Sequence, residues 1–293
     1  MKCPSDIKVL VLGAAVVSVS CGARSTLPAP EDSTATGGSS SSATGSAGSG
    51  YGGDGGESGV GGFPPGCLAK LPGPSMVQVP DLYGGSYCID ATEVTNAHYA
   101  AWLETGPSFE DQPVQCDWNE SFLPSHDWPP DDSQLAHPVV WVDWCDAAAY
   151  CQGTGKRLCG KLGGDNDVPS DEMDLSQNEW LSACTLAGTQ QFSYGDTYKP
   201  AACNLLEYGA DGTIPVGTAP LCEGAYSGVY DLVGNVYEWT HSCDGPAADE
   251  HCLLFGGGFM MPGEIMSCRS GLTFGKPLNG VMMGIRCCRD SAP

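Results

Sequence analysis

Three methionines and a cysteine crowd the stretch FGGGFMMPGEIMSCRSG, Phe255 to Gly271. Thioether sulfur is a soft donor, so Met260, Met261 and Met266, with Cys268 nearby, could in principle hold Cu(I). Methionine is also a flexible filler of cores and adaptable binding surfaces, and packing or a binding pocket is the preferred reading. A free nucleophilic Cys268 is not expected, because an even cysteine count in an oxidising compartment favours a disulfide. A second stretch, DLVGNVYEW from Asp231 to Trp239, invites a hard cation instead. Gly234 and Asn235 permit an unusual turn that aims several carbonyls at one spot, while Glu238 adds charge. Calcium takes such a mixed oxygen cage. A tight turn with a capping Asn and no metal is the alternative.

Other catalytic templates are missing. The five histidines, His98, His126, His137, His241 and His251, form no HxH or HExxH pair. No GxSxG elbow occurs, and the GK pair in GKRLCGKLGG, Gly155 to Gly164, lies outside Walker spacing. The acidic residues Glu104, Glu110, Asp111, Asp117, Glu120, Asp127, Asp131 and Asp132 could recruit cations, but read first as a solvated face.

The elements that must position these residues are short. TEVTNAHYAAWLETG predicts a helix capped by Thr or Asn, with Val94, Tyr99 and Trp102 near one face and an end at Gly106. VDWCDAAAYCQGTG predicts another, ending at Gly153 or Gly155, and QNEWLSACTLAG a third, ending at Gly188. Strands are expected at VQVP, YCID, HPVVWV, LLFGGGF and MGIRCC. With Gly and Pro every few residues and no heptad or longer repeat, the fold class is α+β with long ordered loops.

Charge and cysteine content narrow the setting. Lys+Arg 12 against Asp+Glu 35 gives a net charge of −23 over 293 residues. Such a surface repels nucleic acid and anionic headgroups, so no nucleic-acid partner is expected. Sixteen cysteines with no paired CxxC zinc spacing point to disulfides and export. MKCPSDIKVLVLGAAVVSVSCGA reads as a signal peptide, its apolar run too short to span a bilayer. Ser18-Val19-Ser20-Cys21 resembles a bacterial lipobox with Cys21 lipidated; cleavage after Ala23 is the alternative. The expected organisation is therefore a signal peptide over 1–21, a Gly/Ser-rich tether over 22–65, and a folded domain over 66–293. The expected location is the bacterial cell envelope, membrane-anchored in the periplasm or at the cell surface, with secretion as the alternative. Setting aside Cys3 and Cys21 leaves fourteen cysteines, an even number that allows complete pairing.

Read in order, YCIDATEVTNAHYAAWL, HPVVWVDWCDAAAYCQGTGKRL, NEWLSAC, YGD, PVGT, GVYDLVGNVYEWT, FGGGF and MGIRCC resemble the formylglycine-generating enzyme family, the sulfatase-modifying factor domain, over Val77 to Arg289. The resemblance implies a compact α+β fold related to C-type lectins, with structural calcium. It implies calcium ligands at the carbonyls of Asp231, Gly234 and Val236 and the Glu238 carboxylate. A second calcium site would use the side chains of Asn204 and Asp211 and the backbone oxygens of Leu205 and Thr213, on a loop shorter than the family's usual one. It also implies bridges Cys151–Cys287, with Cys288 an alternative partner, and Cys184–Cys268.

Active members of that family oxidise a substrate cysteine to formylglycine through two cysteines five positions apart. Here Met261 and Met266 fall in those positions, and no cysteine lies between Phe255 and Ser267. Copper is therefore not expected, and two readings remain. One is an inactive, calcium-stabilised binding or scaffold module whose partner is an exported protein or a small ligand and whose lipid anchor meets the membrane. The other is an oxidoreductase acting on a thiol in an exported substrate.

Overall fold

A computed structural model describes residues 67, 70–163 and 178–291. The signal, the tether and Cys21 lie outside them. Thr95 begins helix α1 (Asn96–Leu103): its hydroxyl accepts the His98 N–H while the His98 ring accepts the Thr95 N–H, closing a capping box. The helix stops at Leu103 rather than running on to Gly106, because Thr105 folds its hydroxyl back onto the Trp102 carbonyl. Helix α2 (Trp144–Gly153) starts at Asp143 and ends at the first of its two expected glycines. Helix α3 (Glu179–Cys184) is shorter than expected: it ends at Cys184, and Leu186 and Ala187, just before Gly188, already take positive φ, 49° and 51°.

Eight strands are described: β1 (Met76–Pro80), β2 (Ser86–Asp90), β3 (Arg157–Leu158), β4 (Tyr237–Cys243), β5 (His251–Phe255), β6 (Leu272–Gly275), β7 (Met283–Ile285) and β8 (Cys287–Asp290). They form two four-stranded sheets, β1-β2-β8-β3 and β6-β5-β4-β7, antiparallel except for the β4–β7 pair. HPVVWV is not a strand. Pro138 has no N–H, only one bridge forms, to Thr95, and Trp141 turns left-handed at φ 62°. LLFGGGF is strand only to Phe255, since Gly256 and Gly257 sit at φ 107° and 80°. MGIRCC breaks at Arg286, and its halves join different sheets.

One core lies beneath α1 and α2, with Tyr99, Trp102, Trp144, Tyr150, Trp239 and Ile285; the other gathers Ile89, Trp180, Leu181, Leu232 and Phe255 around α3 and the first sheet. Fourteen described cysteines form seven disulfides: Cys67–Cys88, Cys116–Cys145, Cys151–Cys287, Cys159–Cys288, Cys184–Cys268, Cys203–Cys222 and Cys243–Cys252. Cys288 is thus the partner of Cys159.

The start of α2 carries a testable electrostatic feature. Asp143 Oδ1 accepts the N–H groups of Cys145 and Asp146, and Asp146 Oδ2 accepts the Asp143 N–H in return. Both carboxyls are buried, and Asn119 Nδ2 donates to Asp146 Oδ1 at 2.9 Å. Burial first, and then the charge of Asp143, push Asp146 up to about 8 from an ordinary 3.8. A raised folded-state value means that the folded protein keeps a proton the unfolded chain has lost. The resulting stabilisation is complete below the ordinary value and vanishes as pH rises through about 8. Thermal unfolding in the wild type should therefore move to lower temperature between about pH 4 and about pH 8. In Asp146→Asn the drop should be visibly shallower; an unchanged slope in that variant would remove this carboxyl as its source.

Candidate functional site

The Gly-rich run after β5 brings its backbone against two methionine sulfurs. A Cβ on Gly257 would stand 2.8 Å from Met266 Sδ, and one on Gly258 2.6 Å from Met282 Sδ. Only glycine allows this approach. Met266 is buried, and the Tyr237 hydroxyl lies 3.8 Å from its sulfur. Met261 is partly buried between the two cores, its N–H on the Gly258 carbonyl and its own carbonyl accepting from Leu206. Met260 packs against the first core, and Cys268 is bonded to Cys184. The loop thus packs one thioether against each of two successive glycines, Met282 in the first core and Met266 in the second. Met282 was not singled out in the sequence; it lies 24 positions from Gly258, and only the β4–β7 pairing brings it there.

The DLVGNVYEW turn is left-handed at Asp231, Gly234 and Asn235, at φ 60°, 86° and 61°. A Cβ on Gly234 would lie 2.8 Å from the Asn204 carbonyl oxygen. Asn235 is the hub. Its N–H donates to the Asn204 carbonyl, its Nδ2 to Glu93 Oε1, and its Oδ1 accepts from Asn204 Nδ2 and the Ile214 N–H. Glu238, the second residue of β4, is wholly buried, with Arg286 Nε at 2.9 and 2.8 Å from its two oxygens and the Trp180 indole on Oε2. Glu93 and Asp231 share this pocket. Burial and then the Asp231 charge push Glu93 well above the usual carboxylate range; burial pushes Asp231 up to about 6. Neither Glu93 nor Arg286 stood out in the sequence, since each acts through residues far along the chain.

The oxygens at the two candidate calcium positions differ in what they leave open. In the first, where the Asp231 carbonyl is the expected ligand, the carboxylate of the same residue accepts the Gly217 N–H on Oδ2 at 2.6 Å and keeps Oδ1 buried without a hydrogen-bond partner. Its charged companion, Glu238, is shared with Arg286. In the second, Asn204 Nδ2 is committed to Asn235 Oδ1 and the Gly212 carbonyl, which fixes the amide and leaves Oδ1 buried and unpaired beside the 211–213 turn. Asp211 is exposed on that turn, the Leu205 carbonyl accepts from Tyr208, and the Thr213 hydroxyl meets His137 Nδ1 at 3.0 Å. At the second position none of the candidate side chains is engaged in an ion pair among the described residues. Among the described residues no three His, Cys, Asp or Glu side chains converge as a metal site, so backbone and amide oxygens would have to supply much of either cage.

Three short helices, two four-stranded sheets, a network of disulfides and a Gly-rich loop packed on thioethers define a disulfide-rich α+β domain consistent with the C-type-lectin-like fold. The family is equally definite. The chain belongs to the sulfatase-modifying factor enzyme 1-like domain family, whose model matches residues 77–291. It is 36% identical over 135 residues to the inactive C-alpha-formylglycine-generating enzyme 2 of Mus musculus, covering 42% of this chain and 38% of that protein. It is 32% identical over 162 residues to the formylglycine-generating enzyme of the same species, covering 45% of this chain and 38% of that one. The chain thus spans well under half the length of these curated relatives. Among solved structures, PvdO from Pseudomonas aeruginosa superposes with a TM-score of 0.52 at 20% identity, covering 76% of this chain and 100% of that one. That likeness speaks for the fold alone.

Proposed function

We propose that this protein is an exported, lipid-anchored member of the family that has lost the oxidase chemistry and acts as a calcium-stabilised binding module. One observation carries the reading: thioether sulfurs of Met266 and Met282 pack against Gly257 and Gly258, in the stretch where, by the resemblance, Met261 and Met266 fall at the family's two cysteine positions. A dithiolate that could hold Cu(I) and exchange with a substrate thiol has no counterpart in that stretch. The mouse relative described as inactive supports the idea that the fold outlives the activity in this family.

Export is supported by seven disulfides, which persist in oxidising compartments. Anchoring rests on the lipobox-like Cys21. Calcium is assigned first to Asn204, Leu205, Asp211 and Thr213, where a buried amide oxygen awaits a partner, and second to Asp231, Gly234, Val236 and Glu238, where it would share Glu238 with Arg286. When bound, calcium supplies charge neutralisation and ties the turn to its neighbours; it takes no part in a reaction.

The test is direct. Purified protein incubated with copper, oxygen and a Cys-x-Pro-x-Arg peptide should yield no aldehyde-bearing peptide, only the disulfide that copper and oxygen form from a free thiol without an enzyme; an aldehyde product would overturn the reading in favour of an oxidoreductase acting on thiols. In the same preparation a chelator should lower the melting temperature by several degrees, as loss of a ligand bound only to the native state requires. An unmoved melting temperature removes calcium from the proposal.

A further inference from the structure

Beside the methionine-packed glycines lies a cleft of about 620 Å³, within the range of ligand pockets. Phe259, four residues beyond Phe255, belongs to its wall, and its N–H is held by the Asn235 carbonyl, so the cleft is built on the same turn that supports the Gly-rich loop. Trp128 and Trp141 supply aromatic surface, with Pro124, Pro129, Pro130 and Pro138 around them. Trp141 is held left-handed at φ 62°, and Asp127 at φ 55°. A bulky residue in that region is strained, and such strain collects at ligand sites. The Trp141 turn is fixed from both sides: its N–H donates to the Gly280 carbonyl and its carbonyl accepts from the Ser125 N–H. Its ring lies 4.4 Å from that of His126, and its indole N–H is buried without an acceptor.

The carboxylates around this apolar floor give it one sign of charge. Asp127, Asp131 and Asp211 are exposed, and none of the lining residues is Lys or Arg. Nor does any of the three carboxylates make an ion pair among the described residues. Aromatic faces flanked by unpaired carboxylates attract guanidinium and ammonium groups, through the ring quadrupole and through charge. The exposed Gln134 amide, also in the wall, can both donate and accept, which suits a main chain lying along the cleft.

We propose that the cleft walled by Trp128, Trp141 and Phe259 and rimmed by Asp127, Asp131 and Asp211 binds an extended basic segment of a partner protein. This deepens the binding-module reading and rests on it. Arginine or lysine side chains lie over the indoles with their charge toward the rim, and the net charge of −23 speeds their approach. The geometry asks for a cation on an apolar stem; it does not ask for a cysteine.

The full-length chain in detergent micelles is titrated calorimetrically with a Gly–Arg repeat peptide, its Gly–Lys counterpart and a Gly–Glu control. The basic peptides should bind saturably and the acidic one not at all. In Asp127→Asn with Asp131→Asn, the Kd should rise about tenfold, the equivalent of one good charged contact. Asparagine tolerates the left-handed backbone at position 127, so this variant should fold, and near-ultraviolet circular dichroism checks that it does. A matched variant on the remote acids, Glu104→Gln, Glu110→Gln and Asp111→Asn, should keep the Kd within about twofold. Equal losses in both variants would assign binding to the general field of the protein and overturn the cleft. So would absence of saturable binding, or equal binding of the acidic peptide. Because the probes contain no cysteine, failure here leaves the aldehyde test and the reading behind it untouched.

Discussion

Replacing Arg286 by methionine should cost about 3–5 kcal/mol, the usual result of removing one partner from a buried ion pair. Native domains hold only about 5–15 kcal/mol in total, so little folded protein should be recovered. The reason lies in how many groups depend on this side chain. Its Nε serves both oxygens of Glu238, its Nη1 donates to the Asp90 carbonyl at 2.7 Å and its Nη2 to the Tyr230 carbonyl at 2.7 Å. All of it is buried, at the point where β7 passes into β8. Glu93 and Asp231 are held nearer to ionisation by the same charge. Methionine matches the stem but leaves the Glu238 charge dry and without its cation, only the Trp180 indole still donating to it, and strips two backbone carbonyls of the Arg286 donors. Lysine keeps the charge and loses the planar fork, so Arg286→Lys should fall between. The deciding measurement is the denaturant midpoint of these variants beside the double change Arg286→Met with Glu238→Gln. Removing both charges should recover part of the loss, because an uncompensated charge costs more than an absent pair. A single variant within about 1 kcal/mol of wild type would show that the pair is dispensable.

The sequence made local features legible and left paired ones hidden. The starts of helices α1 and α2 can be read from their caps, since capping is decided within a few residues, and α2 ends at an expected glycine, whereas α1 stops short of Gly106. Helix α3 came out too long, because the turn after it is made by Thr185 bonding back to Leu181 and by two non-glycine residues at positive φ, which no glycine announces. Strand β4 was read as a turn motif and little more. Its Glu238, Thr240 and Ser242 are buried, so it lacks the alternation of a strand with one wet face. What makes Glu238 tolerable there is Arg286, on another element.

The candidate site divides the same way. Met261 and Met266 could be placed from the Gly-rich run beside them, whereas Met282 could not. The cleft draws on stretches far apart in the chain: Asn96 at the start of α1, the loop after α1, the left-handed turn at Trp141, the turn at Asp211, the end of the Gly-rich run and Val281 before β7. Asp127 and Asp131 were read as part of a solvated acidic face, which is how carboxylates look before the indoles beside them are known. Composition supplied the sign of the charge, and folding supplied the concave surface that gives it a use.

Removing Cys151–Cys287 and Cys159–Cys288 together should destabilise the domain by more than the two single removals added. The bonds close nearly the same loop, spanning 136 and 129 residues and ending on adjacent cysteines of β8. When one is cut, the other still ties α2 and β3 to the last strand. The freedom released to the unfolded chain is then that of a loop of about ten residues, worth about 2.5 kcal/mol in the chain-entropy description. When both are cut, the unfolded chain also regains the long loop. Cys184–Cys268 still shortens that loop to about 50 residues, so its release is worth about 4 kcal/mol. Each bond replaced by an alanine pair should therefore cost about 2.5 kcal/mol, and the quadruple variant about 6–7, against about 5 for simple addition. Denaturant unfolding of the two pair variants and the quadruple one gives the cycle directly. A quadruple loss no larger than the sum would mean that the bonds act through native packing and not through the unfolded chain. The vicinal pair at Cys287 and Cys288 has a physical use on this account: one bond takes up most of the long-range closure, and the second fixes the register of β8 against β3.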